Sequence, residues 1–291
     1  MKWINGSYSI FISLFVLFSI SANPSNPEKK GDSLVQLERY REALIFYERQ
    51  IFDSREKPVI TRLLLKKAQC LKLTGMYAEA LDELKRASYA GFSDSLSFEV
   101  LYESALCAWL SSQFDEAAAR IKMLQHFVKD TVMVKRSLLL ETLILAEQLK
   151  WEESHAKAVV YIQSLQIPER EQEKMLLALE KQFQSPPKLK KENTGRWLNY
   201  LVPGSGQVYA GYPAGGIMSF ALNATSLAFG VLMIINGYYL TGYIIGTGLL
   251  QKFYFGGLRR TEYLVQKTNY LRIRKFNDEI KEILMTDVKI E

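Results

Sequence analysis

Apolar and polar positions along the chain recur with a step of 37 residues. Tyr40-Arg41-Glu42-Ala43, Tyr77-Ala78-Glu79-Ala80, Phe114-Asp115-Glu116-Ala117 and Trp151-Glu152-Glu153-Ser154 repeat an aromatic, a glutamate and a small residue in one phase. Ahead of the aromatic, Leu64, Leu101 and Leu138 stand thirteen places back, Ala68, Ala105 and Thr142 nine, Cys70, Cys107 and Ile144 seven, and Leu71, Ala108 and Leu145 six. Steps of three, four and seven share one helix face, so each unit is predicted to contain an apolar-striped helix that ends just before the aromatic. Gly75 and Ser111-Ser112 supply the turn. Tyr47, Leu84, Ile121 and Ala158, with the small column Ala43, Ala80, Ala117 and Ser154, then stripe a second helix. The unit is a helix hairpin, and a period of this length is the signature of a solenoid whose units bury their apolar faces against their neighbours. The predicted class is all-α.

The pattern changes after residue 184. Ser185-Pro186-Pro187 opens a basic linker, 185–196, that cannot continue a helix stack. Between Arg196 and Arg259 the only charged residue is Lys252. Gly215 to Ile235 is long enough as a helix for one bilayer crossing, Asn236-Gly237 makes a turn, and Tyr238 to Leu258 is predicted to return. Gly242 and Gly246 supply a close-packing face. Asn223, Thr225 and Ser226 are expected to hydrogen bond between the two helices, and Lys252 to snorkel. Ile273, Phe276, Ile280, Ile283 and Leu284 mark an amphipathic tail helix over 259–291, expected to lie on the bilayer or pack on the hairpin.

Two resemblances follow from these residues. Gly75, Tyr77 and Ala80, with Leu64 and Ala68, match the tetratricopeptide repeat, although the period is 37 rather than the usual 34, Lys67 stands where leucine is expected, and no proline closes each unit. Residues 31–166 are thus similar to a degenerate tetratricopeptide array, capped by Asp32–Glu38 and Pro168–Phe183, within a repeat domain spanning 31–184. The resemblance implies a concave groove that binds a protein or peptide. Pro203, Gly204, Gly206, Gln207, Tyr209 and Gly211 resemble the Pro-Gly-x-Gly-Gln-x-Tyr-x-Gly motif of small membrane-hairpin modules of bacterial envelope proteins, similar to the TM2 type, over 197–258. No reaction is implied by either family. From the residues, Pro203-Gly204 is expected to break the entry helix, Gly206 and Gly211 to permit backbone contact, and Gln207 to satisfy freed backbone groups. The glycine cluster lacks a preceding strand and a Gly-Lys-Ser/Thr, so it is not a nucleotide cradle.

Composition narrows the chemistry. The net charge of +6 over 291 residues comes largely from Lys188, Lys190, Lys191 and Arg196 on one flank of the apolar part and Arg259, Arg260, Lys267, Arg272, Arg274 and Lys275 on the other. Such flanks meet membrane lipid phosphates, and no groove-reading motif points to nucleic acid. Cys70 and Cys107 share a column in adjacent units, about 10 Å apart in such stacks, too far for a disulfide, and are expected as buried free thiols. His126 and His155 have no partners at ligand spacing, so no metal or cofactor is expected. Glu42, Glu79, Glu116 and Glu153 are expected to favour helix N-termini rather than to act as acids or bases. Catalysis is not expected.

Lys2, the run Ile10 to Ile20 and Ser19-Ile20-Ser21-Ala22 before Asn23-Pro24 read as a signal peptide over 1–22, or as an uncleaved anchor. Either exports the repeat domain, expected in the periplasm of a bacterium and held at its inner membrane. Two crossings would return the tail to that side, whereas the basic flanks favour the cytoplasm; a third crossing by 197–212 would reconcile them. The function expected is a membrane-anchored scaffold or adaptor; the alternative is a subunit of a membrane-protein insertion or transport complex in which the hairpin is the working part.

Overall fold

A computed structural model of the chain describes residues 28–285. The expected leader over 1–22 lies outside the described residues, as do residues 286–291 of the tail. Among the described residues there are fourteen helices and no strand, and two compact units meet at 173/174.

The first unit holds α1 (Glu28–Gln36), α2 (Tyr40–Asp53), α3 (Lys57–Leu73), α4 (Tyr77–Lys85), α5 (Asp94–Leu110), α6 (Phe114–Phe127), the short α7 (Thr131–Arg136), α8 (Leu138–Glu147) and α9 (Trp151–Ser164). Four turns join α1 to α2, α3 to α4, α5 to α6 and α8 to α9, and they are built alike. Glu38, Gly75, Ser112 and Leu149, spaced by the period, take left-handed φ of 57°, 78°, 61° and 62°. The next residue in each turn, Arg39, Met76, Gln113 and Lys150, donates its backbone N–H to the carbonyl of Leu34, Leu71, Ala108 or Leu145 at 2.8–3.0 Å. That is the helix-ending motif in which a left-handed residue lets the chain reverse while satisfying two otherwise orphaned carbonyls. Each column aromatic is then the first residue of its helix.

The columns are buried. Ala43, Ala80, Ala117 and Ser154 are all 0% exposed, so the paired helices approach closely there, and Tyr47, Leu84, Ile121 and Ala158 fill the same core one turn further on. Ser154 keeps its hydroxyl satisfied by donating to the carbonyl of Thr142, 3.0 Å away on α8. Helices α5 and α8 are apolar around most of their circumference, and Leu101, Ala105, Cys107 and Ala108 are fully buried. Lys67 has its own logic. Its ammonium lies 2.6 Å from Glu48 on α2 and 2.7 Å from Glu83 on α4, so the side chain is largely covered while its charge ties two successive hairpins.

Helix α10 (Glu169–Phe183) starts in the first unit and ends in the second. The second unit continues with α11 (Glu192–Leu201), α12 (Ser205–Ala210), α13 (Pro213–Ile235) and α14 (Tyr239–Met285). Helices α13 and α14 form an antiparallel pair whose backbones touch: a Cβ placed on Gly246 would fall 2.6 Å from the Cα of Gly230, and one on Gly242 would fall 2.8 Å from the Gly230 carbonyl oxygen. The expected glycine face is thus in place. Two expectations are corrected here. Asn223 and Ser226 bond to carbonyls one turn back in α13, those of Ser219 and Leu222, because such side chains reach their own helix more readily than the neighbouring one. Thr225 is exposed.

The tail also differs from expectation. No break occurs at Arg259-Arg260; α14 runs for 47 residues, because its buried stripe continues through Leu258, Thr261 and Val265 to Phe276, Ile280 and Leu284. The distal part packs against the end of α10, with the rings of Phe183 and Phe276 5.5 Å apart and Gln182 bonded to Glu279 at 2.7 Å. Among the described residues one helix, Pro213–Ile235, is long and apolar enough to cross a membrane. Residues 197–212 are divided between α11 and α12, at about 15 and 9 Å each too short for the third crossing.

Candidate functional site

Helix α13 turns the usual burial rule around. Gly216, Asn223, Ser226 and Gly230 are buried on one face, with Ser219 half-buried between them, whereas Ile217, Phe220, Leu227, Leu232 and Ile235 are exposed. The first half of α14 repeats the arrangement, with Gly242 and Gly246 inside and Tyr239, Leu240 and Ile244 outside. Aromatic side chains collect at both ends of the pair. Tyr238 and Tyr239 mark one end; at the other, Tyr200, Tyr254 and Phe255 lie within ring contact and Tyr254 donates to the carbonyl of Tyr200 at 3.2 Å.

The glycine-rich motif forms the base of this pair. Gly204 has φ 93°, and a Cβ there would meet the carbonyl oxygen of Gly216 at 2.1 Å; at Gly206 it would meet the carbonyl oxygen of Gly195 at 2.2 Å. Backbone therefore packs on backbone at both positions, which explains Gly206 as expected. Gly211 serves differently from the expectation: it is the left-handed residue ending α12, with only the Lys190 ammonium near its missing side chain. The role expected of Gln207 falls to Asn199, whose carbonyl oxygen accepts the freed N–H of Gly204 at 2.7 Å. Tyr209 anchors the linker. Its hydroxyl accepts the N–H of Lys191, and its carbonyl accepts the Lys190 ammonium, which also faces the Tyr209 ring. Asn269 on α14 pairs with both the N–H and the carbonyl of Lys190 at 2.8 Å, and Arg272 donates to the Lys188 carbonyl. The basic stretch is therefore strapped to α14 rather than free. Burial and the neighbouring Arg272 hold the Lys190 ammonium below the usual lysine pKa.

Gln207 itself is 1% exposed, and among the described residues neither amide atom has a hydrogen-bond partner. It lines a pocket of about 730 Å³ between α13 and α14, with Ser219, Lys252, Arg259 and Arg260 as further polar walls. The apolar walls include Leu222 and Phe255. Neither Asn199, Ser219, Asn269 nor the pocket arginines belong to the motif, so sequence spacing did not join them to it. The available signal was the isolated polar residue in the aromatic run Trp197–Val202.

In the first unit, α3 and α5 are joined by an ion pair between Lys72 and Glu103, whose side chains are 14% and 15% exposed. Burial alone would push the Lys72 ammonium down, but Glu103 overrides it and holds the pKa above the usual lysine value; burial and Glu103 raise Glu99. Cys70 and Cys107 are buried and free. Burial pushes their thiols up to about 11 and about 12, leaving them unreactive at neutral pH. Of the column glutamates, Glu42 pairs with Arg39 and Glu116 with Arg120 at the start of their helices. Compared with protein-family models, with curated proteins and with solved structures, the chain gives no match.

Proposed function

We propose that the chain is a non-enzymatic scaffold of the bacterial envelope: a tetratricopeptide-like array that binds a protein or peptide, fixed to the inner membrane by the α13–α14 hairpin, with the array in the periplasm. One observation carries this reading. The same chain buries apolar columns at a 37-residue period in its first unit and exposes apolar residues around a small, polar-faced helix pair in its second. The first arrangement suits water as solvent and the second suits lipid. Aromatic residues at both ends of the pair support an interfacial fit.

Alkaline carbonate extraction of membranes containing the full chain tests the anchor: retention in the pellet is expected, and release defeats it. Affinity capture with the full chain in mild detergent tests the scaffold, for which a stoichiometric protein partner is expected and none above background counts against it. The buried side-chain amide oxygen of Asn223, unpartnered among the described residues, favours a second reading in which the hairpin itself works in an insertion or transport complex. Exchanging residues 197–258 for an unrelated hairpin separates the two: retained function supports the scaffold, and loss supports the second reading.

A further inference from the structure

We infer that the pocket at the base of the hairpin is a binding site for a phosphate group, that of an anionic phospholipid. The argument begins with one row of α14. Gly248, Lys252, Gly256 and Arg260 follow one another at four-residue steps, so they share a helix face. All four line the pocket. A Cβ on Gly248 or Gly256 would meet nothing within 4 Å, so space is left on either side of Lys252 and between the two cations. Arg259 adds a third positive charge, and among the described residues no acidic side chain lines the pocket.

The floor is polar and already dehydrated. The Cβ position of Gly257 lies 3.0 Å from the Ser219 hydroxyl, 3.6 Å from the Asn199 amide nitrogen and 3.9 Å from that of Gln207. The Cβ position of Gly215 lies 3.0 Å from the Gln207 carbonyl oxygen and 4.0 Å from an Arg260 guanidinium nitrogen. Glycines thus admit four polar side chains to one place. A buried amide with neither atom bonded is costly, and Gln207 is such a group on a pocket wall. A phosphate accepts from Arg260, Lys252, the Gln207 amide nitrogen and the Ser219 hydroxyl together. Guanidinium and ammonium groups are the natural partners of its oxygens. Side chains, not a glycine loop, make the site.

The apolar walls decide the source. Met218, Leu222, Phe253 and Phe255 stand beside the cations, an amphipathic lining that matches a headgroup joined to acyl chains rather than a free anion. This choice rests on the hairpin lying in lipid.

Native mass spectrometry of the full chain in mild detergent, titrated with phosphatidylglycerol, phosphatidylcholine or inorganic phosphate, tests it. One phosphatidylglycerol is expected to bind at least about tenfold more tightly than phosphatidylcholine. Arg260→Gln and Gly256→Leu are each expected to erase that preference, and Arg274→Gln, outside the pocket, to leave it. Gly256→Leu fills open space and improves helix propensity, so its effect is not explained by unfolding. Inorganic phosphate that displaces the lipid makes the free anion a ligand of the same site; failure to displace it makes the lipid the ligand. Equal affinity for the two lipids, or undiminished preference in both pocket variants, overturns the proposal. Carbonate extraction of the same protein separates the two readings. Retention without lipid preference defeats the pocket alone. Release defeats the anchor, and phosphate binding by the released protein then decides whether the pocket stands.

Discussion

The two units solve one packing problem with opposite materials. In the first, the residues that let helices approach are alanines, the surrounding core is leucine and isoleucine, and the surface is charged. In the second, the α13–α14 contact is glycine on glycine, the buried side chains beside it are serine and asparagine, and the outer surface is leucine, isoleucine and phenylalanine. Close helix approach is common to both; in the first it hides much apolar area, whereas the α13–α14 contact itself hides little. Where apolar residues face outward, shape and backbone contact must hold the helices, so a methyl group at a contact matters more than a lost leucine.

The sharpest break in this comparison is at Gly204. Gly204→Ala forces a methyl against the Gly216 carbonyl at a left-handed φ and is expected to destabilise the hairpin by about 4 kcal/mol or more, read as faster tryptic cleavage at Arg259-Arg260 of the full chain in detergent. Gly75→Ala, with the same sign of φ but open space, is expected to cost only about 1 kcal/mol. Equal losses would erase the distinction. Next come two leucines. Leu124→Ala in the first core, from a residue 0% exposed, is expected to lower the urea-unfolding free energy by about 2–5 kcal/mol, whereas Leu232→Ala, on the outer face of α13, is expected to change it by under about 0.5 kcal/mol.

The repeat phase also predicts a gain. Leu149 occupies the left-handed position that Gly75 holds one pair of units earlier, and it is 42% exposed. Leu149→Gly is expected to stabilise the first unit by roughly 1 kcal/mol, measured as a rise in Tm. A smaller effect concerns pH. The hydrogen bond from Lys67, outweighing burial and helped by Arg86, holds the Glu48 carboxyl below its ordinary value. A depressed folded pKa means stability that is present above the unfolded pKa of about 4.3 and lost as pH falls through the folded value. The destabilisation caused by Glu48→Gln is therefore expected to shrink in urea melts as pH falls below about 4. The smallest effect expected is none: Cys70 and Cys107 should resist iodoacetamide at neutral pH until the chain unfolds, followed as mass shifts.

Much of the first unit was legible because water imposes a strict code on it. A 37-residue step in apolar positions leaves one way to bury every column, and the phase carried the turn geometry with it, even where glutamate, serine and leucine stand in place of glycine. Lys67 was not legible, since its role depends on two glutamates from other helices. The motif of the second unit was legible as a break with close contacts. Which polar side chain caps Gly204, and which stays unbonded, was not, because both depend on where α14 passes behind α12.

By itself the sequence determined the helical class, the period, the apolar helix ending at Ile235 and the close contacts at Gly206, Gly242 and Gly246, because each follows from residues near in sequence and from a surrounding solvent that sorts them by polarity. Tertiary structure alone decided the unbroken run of α14, the strap of Lys190 on Asn269, and the gathering of Gln207, Ser219 and Arg260 around one space. Those outcomes depend on side chains from distant helices meeting at distances of a few ångströms, and no local pattern encodes which of several neighbouring polar groups will arrive first.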